Sequence, residues 1–383
     1  MTTQTVSDYE IAAPPPDFEL GFTRKPLKYV AALPAAGVGE RTGVILFLCP
    51  WGMHPAEDYC RTVLLPRLAE RYDCVAAAPI YFGIGVKSPA ADANLQPPNG
   101  LIEGIRRMFG DAVAALPPRE QFRALAEAGL TELPTQLAFS INPFPEYQSF
   151  GLMPALDAIA VLADLLRRHP LRRDRLHCFG SSYGGYIASI LLKLMPNTFH
   201  VMVENSGFVE AQPFEMANQE FNVFHWLSLQ GVRTPIFYTS PWTFKDAASP
   251  RFAGPGVMAM RSCLQDAHYA PSKTLMRSYH AAQDKLVPIE GKRAFWAILA
   301  DRTMLRASTV TPDMVDGRLF KTADHGMDAS MLDMMDDALA DTPDASADAF
   351  TDFDRRTERV LPAGNRTYLF RFAEDLSFHA EVQ

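Results

Sequence analysis

Residues 178–186 read CFGSSYGGY, two adjacent serines within a run of small residues. The stretch before them, RLHCFG (175–180), is apolar enough for a buried strand. The stretch after them, GGYIASILLKLM (184–195), reads as a helix. A strand that passes straight into a helix needs small residues at the joint, because the two backbones approach closely there. Gly180-Ser181-Ser182-Tyr183-Gly184 fits the frame G-x-S-x-G with Ser182 at its centre. The central residue of such an elbow sits on a strained turn with its Oγ pushed clear of the sheet. Ser181 has Phe179 two residues before it instead of glycine, so the frame assigns Ser181 to turn packing and Ser182 to chemistry. A helix N-terminus at this point adds the positive end of the helix dipole. A turn that merely ends a strand uses the same residue types, so the rest of the chain has to decide.

Outward from the elbow, strand and helix patterns alternate. GVILFLCP (43–50) and DCVAAAPIYF (73–82) are continuous apolar runs, as in strands buried on both faces. Between them AEDYCRTVLLPRLAERY (56–72) reads as a helix, with Pro66 as its blemish. This order predicts a right-handed βαβ unit in a parallel sheet. Further helices are expected over 153–168, 290–299 and 328–339, and further strands over 200–205, 274–279 and 305–310. The helix 153–168 shows its apolar stripe at Leu156, Ile159, Ala160, Ala163 and Leu166. Near the start, DFELGFTR (17–24) and LKYVAALP (27–34) alternate like two antiparallel strands. The expected fold is α/β, a mostly parallel twisted sheet with helices on both faces, filling residues 1–340.

Two blocks interrupt the alternation, 83–150 and 206–272, the first with one expected helix at 118–129. Both are too long to be simple connections. Both follow strands at the carboxyl edge of the sheet, and both are rich in aromatics such as Phe122, Phe139, Phe144, Trp226 and Trp242. They are expected to pack together as a lid. Residues 341–383 read as an acidic linker and a C-terminal extension, with RTYLFRF (366–372) as a late strand.

A serine nucleophile needs a base, and the base needs an orienting acid. In the α/β-hydrolases, whose elbow this frame resembles, the acid and then the histidine follow the serine in the chain. Asp284 stands just past the strand 274–279, and His325 stands between the strand 305–310 and the helix 328–339. Both positions are at carboxyl ends of strands, where the ligands of parallel sheets collect. Asp324 competes as the acid, but adjacent side chains usually point apart, which disfavours it beside His325. Asp284 could instead cap the helix 290–299. His280 and His268 are rival bases, while His177 and His200 fall in apolar strands and read as structural. The oxyanion formed in acyl transfer needs donors. Tyr183 N–H, directly after the nucleophile, is one candidate. Met53 N–H, in the loop CPWGMHP (49–55), is the other, because Trp51-Gly52-Met53 resembles the His-Gly-X usual at that place in such hydrolases. Trp51, Tyr183 and Trp242 are the candidate substrate-binding residues.

The chain has 383 residues, of which 48% are hydrophobic and 11% aromatic, and a formal charge of −8. That balance disfavours a general nucleic-acid binder, which needs a basic face. The cysteines Cys49, Cys60, Cys74, Cys178 and Cys263 are odd in number and have no CxxC spacing, so neither a disulfide framework nor a zinc site is expected. No metal or organic cofactor is implied. The first twenty residues show no signal-peptide pattern, and no apolar run reaches membrane-spanning length. A cytoplasmic protein is therefore expected. Its oligomeric state is not legible.

The segments WGM (51–53), GSSYGGY (180–186), HAAQDKLVP (280–288) and DHGM (324–327) together resemble the α/β-hydrolase superfamily over roughly residues 40–340. SSYGGY with the pattern HxxxDxxVP is similar to the catalytic domain of prolyl-oligopeptidase-type serine peptidases. PEYQSFGLMPALDAIAVLADL (145–165) and GSSYGGYIASILLKLMPNTFHVMVENSGFV (180–209) resemble, more closely, a hydrolase-like family of unknown function found with flagellin-glycosylation genes. The resemblance implies the fold and a Ser182–Asp284–His325 triad, and it supplies no substrate. A carboxylic-ester hydrolase or deacylase acting on a small acylated molecule or sugar is the leading expectation. A small peptidase or amidase, and a binding protein that has lost turnover, are the alternatives.

Overall fold

The computed structural model describes residues 6–87, 95–142, 145–340, 342 and 350–383. Phe144 and most of the acidic stretch 341–349 lie outside the described residues. The described chain forms two compact units.

The first unit comprises residues 1–81, 150–211 and 255–383. It is built on an eight-stranded sheet. In chain order the strands are β1 (Val6–Ile11), β2 (Leu27–Ala32), β3 (Gly43–Leu48) and β4 (Cys74–Ile80). After these come β5 (Leu176–Ser181), β6 (Val201–Asn205), β7 (Leu275–Ala281) and β8 (Met304–Val310). Their spatial order is β1-β2-β4-β3-β5-β6-β7-β8. The pairs β1–β2 and β2–β4 are antiparallel, and the other pairs are parallel. Every residue of β3, β5 and β6 is buried. Successive strand residues face opposite sides, so both faces of the sheet centre are covered, and the sequence there reads as unbroken apolar runs.

Two local features depart from the sequence pattern. DFELGFTR, expected as a strand, is a turn. Asp17 Oδ1 accepts the Leu20 N–H at 3.1 Å, and Gly21, at φ +73°, donates its N–H to the Asp17 carbonyl at 2.8 Å. The edge strand is instead β1, VSDYEI, which pairs along β2. The helix expected over 56–72 opens with a π-helical stretch, Tyr59–Leu64, before its α-helical part, Leu65–Tyr72. Pro66 lacks an N–H, and its ring crowds the carbonyl four residues back. A widened turn just before it relieves that conflict.

The chain order reverses direction across the sheet between β3 and β5, with β4 on one side and β6 on the other. Ligands of open α/β sheets bind at the carboxyl ends of strands beside such a switch. The loop after β3 and the elbow after β5 both emerge there. Residues 358–382 add a separate three-stranded antiparallel sheet to this unit, containing the expected strand Arg366–Phe372.

The second unit comprises residues 82–149 and 212–254, one piece from each irregular block. It has a four-stranded sheet in the order Leu95–Gln96, Phe139–Ile141, Val232–Tyr238, His225–Leu229. Its own core joins Leu101, Ile105, Phe122 and Phe139 to Val232 and Ile236. Among the described residues no helix is long and apolar enough to cross a membrane. All five cysteines are buried and free.

Candidate active site

Ser182 follows β5 and caps the helix Tyr183–Leu194. Its backbone is at φ +52° and ψ −118°, a conformation rarely adopted by residues with a side chain. Its N–H is fixed on the Asn205 carbonyl at 2.7 Å. The flanking glycines are required by close approach. A Cβ on Gly180 would sit 2.1 Å from the Gly184 carbonyl oxygen, and one on Gly184 would sit 1.9 Å from the Leu48 carbonyl oxygen. The G-x-S-x-G frame is thus a packing requirement that leaves the hydroxyl of Ser182 projecting from the turn.

The fold brings three of the sequence candidates into one row. Ser182 Oγ lies 2.8 Å from His325 Nε2, and His325 Nδ1 lies 2.7 Å from Asp284 Oδ2. A carboxylate only accepts, so Nδ1 carries the proton and Nε2 is left to accept from the serine hydroxyl. Asp284 Oδ1 accepts the Leu286 and Val287 N–H groups at 2.8 and 2.9 Å. Burial alone would push this carboxyl up. The His325 bond and the Val287 and Leu286 N–H groups outweigh burial and hold it below the usual carboxylate range. Asp284 therefore stays charged beside the imidazole at neutral pH.

The rival residues make other bonds, although His280 Nε2 also lies 3.6 Å from Asp284 Oδ2. Asp324 is exposed, and its carbonyl closes a turn with the Met327 N–H at 2.9 Å. His280 is buried and donates from Nε2 to the Val287 carbonyl at 2.8 Å. Burial, then the nearby Lys292 ammonium, keep its imidazole below the ordinary range. His268 meets the Pro362 carbonyl at 2.7 Å, and His177 is buried near His200.

The remaining candidates are distributed less simply. Tyr183 begins the helix, whose first intrahelical bond runs from the Tyr186 N–H to the Ser182 carbonyl, 3.1 Å. The Tyr183 backbone N–H thus lies at a helix end, where donors point outward. The Tyr183 ring, expected to face substrate, is only 1% exposed, and its hydroxyl accepts the Gly151 N–H at 2.8 Å. It acts as a backing for Trp51, which stacks on it at 4.5 Å. Trp51 is half-buried and also meets Phe208 at 5.3 Å, and Phe208 reaches the His325 ring at 6.4 Å. Met53 N–H closes a turn on the Pro50 carbonyl at 3.3 Å, with Gly52 at φ +84°. A donor used in that way has to leave the turn before it can serve an oxyanion. Trp242 belongs to the second unit, where it is buried edge-on to Tyr147 at 6.1 Å. Sequence reasoning missed Asn205, Ser206 and Phe208. Their signal was the polar Asn-Ser-Gly-Phe at the end of an otherwise apolar strand.

The strand order and the strand–Ser182–helix elbow define an α/β-hydrolase fold. Within it the chain belongs to the family described as "Protein of unknown function (DUF2920)", whose model matches residues 115–379. No curated protein matches the chain by sequence. Among solved structures it is similar to the Pyrococcus horikoshii acylaminoacyl peptidase, at 12% identity and a TM-score of 0.45, covering 90% of this chain and 43% of that one. It is also similar to a thermostable esterase, at 14% identity and a TM-score of 0.39, covering 80% and 54%. A Mycobacterium tuberculosis puromycin-hydrolyzing peptidase is similar at 15% identity and a TM-score of 0.43, covering 83% and 36%. The chain thus spans about half the length of the first two and about a third of the last.

Proposed function

We propose that this chain is a serine hydrolase that works through an acyl-enzyme on Ser182, and that its substrates are carboxylic esters of small acylated molecules, sugars among them. The observation that carries the reading is the row Ser182 Oγ–His325 Nε2–Asp284, with bonds of 2.8 and 2.7 Å on a strained elbow. In this mechanism His325 Nε2 takes the serine proton as Oγ attacks the ester carbonyl. Asp284 stabilises the imidazolium and holds its orientation. The tetrahedral oxyanion takes the Tyr183 N–H, and a second donor comes from the loop after β3. Collapse expels the alcohol, which receives the proton from His325. Water then enters, activated by the same imidazole, and releases the acid. The half-buried Trp51, beside Phe208, supports an apolar or ring-bearing group in the substrate. The lid role of the two insertions stands as part of this proposal.

A fluorophosphonate probe and an ester panel test the reading. Wild-type protein is expected to label, Ser182→Ala to lose labelling and ester turnover, and Ser181→Ala to keep much of both. An unlabelled wild type would turn the reading towards a binding protein. Faster cleavage of a peptide amide than of acetyl or butyryl esters would move the activity to the amidase class.

A further inference from the structure

The carboxyl end of β6 continues as Glu204-Asn205-Ser206-Gly207, and the three polar side chains are buried. Asn205 donates from Nδ2 to the Gly326 carbonyl at 3.2 Å and to Ser181 Oγ at 3.3 Å. Ser206 Oγ accepts the Gly326 N–H at 3.1 Å and donates to Asn205 Oδ1 at 3.0 Å. Two neighbouring side chains thus hold both backbone polar groups of Gly326, the residue that follows His325. The carbonyl of the same Asn205 accepts the Ser182 N–H. Asn205 therefore bonds to the backbone of the nucleophile and to the backbone of the histidine loop.

This bracket is itself fixed. Ser206 sits at φ +53°, a costly conformation for a residue with a Cβ, and its N–H is bound to the Tyr279 carbonyl on β7 at 2.9 Å. The buried Glu204 carboxylate accepts the Gly207 N–H, the Ser278 hydroxyl and the Lys292 ammonium, the last at 3.0 Å. A Cβ on Gly207 would come within 2.7 Å of the Gly185 carbonyl carbon and the Tyr186 nitrogen. The turn is wedged against the elbow helix and has no room to slide. The histidine loop, by contrast, has no strand or helix between Met314 and Met331. Asp284 sets the rotation of the His325 ring, but a bond to one ring nitrogen does not fix the height of the loop above the serine.

We propose that Asn205 and Ser206 are positioning residues that clamp the Gly326 peptide and so keep His325 Nε2 within bonding reach of Ser182 Oγ. The proposal rests on the reading of Ser182, His325 and Asp284 given above. A displacement of about 1 Å in such a pair costs on the order of 10²-fold in rate.

The test uses Asn205→Ala and Ser206→Gly in the full chain, since glycine accepts the positive φ and removes only the hydroxyl-bearing side chain. Three quantities are measured: the fluorophosphonate labelling rate at Ser182, kcat and KM on a butyryl ester, and the low-field proton signal of the His325–Asp284 hydrogen bond. Labelling and kcat are expected to fall on the order of 10²-fold. KM should hold, and the proton signal should broaden or vanish, in protein that still unfolds cooperatively. Wild-type labelling rates and an intact signal in both variants would overturn the clamp. If Ser206→Gly does not fold, Asn205→Asp decides, because it keeps the Oδ1 acceptor and loses the Nδ2 donor. If wild-type protein does not label at all, the hydrolase reading fails. The proton signal then still judges the clamp: its retention in Asn205→Ala overturns it, and its loss supports it.

Discussion

Ser182 carries a conflict whose size follows from the structure. Its backbone angles, φ +52° and ψ −118°, suit glycine, while the chemistry proposed for it requires a side chain. Residues held in such sparsely populated regions cost about 1–3 kcal/mol each. Replacing Ser182 by glycine removes the Cβ and most of that cost. It also frees the unfolded chain, which takes back about 0.4–1 kcal/mol. Replacing it by alanine keeps the Cβ and the strain. Both changes delete the 2.8 Å bond to His325, so that loss cancels in the comparison. The glycine variant should therefore be more stable than the alanine variant by about 1 kcal/mol, the difference of those two ranges near their middles. In a unit of this size that corresponds to about 2 °C in Tm. Urea titration and calorimetry on the two variants, both inactive, measure the difference directly. An alanine variant more stable than the glycine variant would refute the idea that the elbow is strained at Ser182.

Other consequences can be tested at single sites. Asp284→Asn should lower kcat/KM on the order of 10⁴-fold, because an amide cannot hold the imidazolium and selects the wrong tautomer, while the exposed Asp324→Asn should change it little. Gly184→Ala should abolish folded protein, since its Cβ would sit 1.9 Å from the Leu48 carbonyl oxygen. Gly185→Ala, with nearest contacts of 3.2 Å, should fold with a modest loss in urea midpoint. Burial, with His200 and Arg175 adding to it, pushes the His177 imidazole down to about 3, so the native state stays neutral where the unfolded chain, near 6.5, takes up a proton. The unfolded state then binds more protons between about pH 3 and 6.5, and stability should rise with pH across that window. His177→Leu should flatten this slope in urea titrations at pH 4.5 and 7, and an unchanged slope would show that His177 is not its source.

The parts legible in the sequence are those whose constraint is local or whose burial is complete. β3 and β4 read as unbroken apolar runs because both of their faces are covered. The elbow was legible because close approach of backbones demands glycine at fixed offsets from Ser182. Asp284 and His325 could be placed because they follow β7 and β8 in chain order, and both loops return to the same sheet edge. The edge strand β1 was hidden because VSDYEI carries polar residues on a half-exposed strand, while DFELGFTR alternates yet is bent by Asp17 and Gly21. The candidacy of Met53 rests on the motif Trp51-Gly52-Met53. A motif match cannot show that the Met53 N–H is engaged with the Pro50 carbonyl.

The second unit was opaque for a different reason. Its strand Phe139–Ile141 has three residues and pairs in parallel with Ile236–Tyr238, from which residues 150–211 of the first unit separate it in sequence. A pairing of that kind leaves no periodicity in either segment. One local signal did exist. Leu229 and Val232 face each other across Gln230 and Gly231, whose φ values of +51° and +85° fit a tight two-residue hairpin turn. The core shows why the two blocks could not be read one at a time. Leu101, Ile105, Phe122 and Phe139 come from one piece, and Leu229, Val232 and Ile236 from the other. Each piece alone would leave its share of that core uncovered, with less burial to offset the entropy of ordering its backbone. Each is irregular by itself because the partner that completes its sheet and its core lies on the far side of the elbow in the chain.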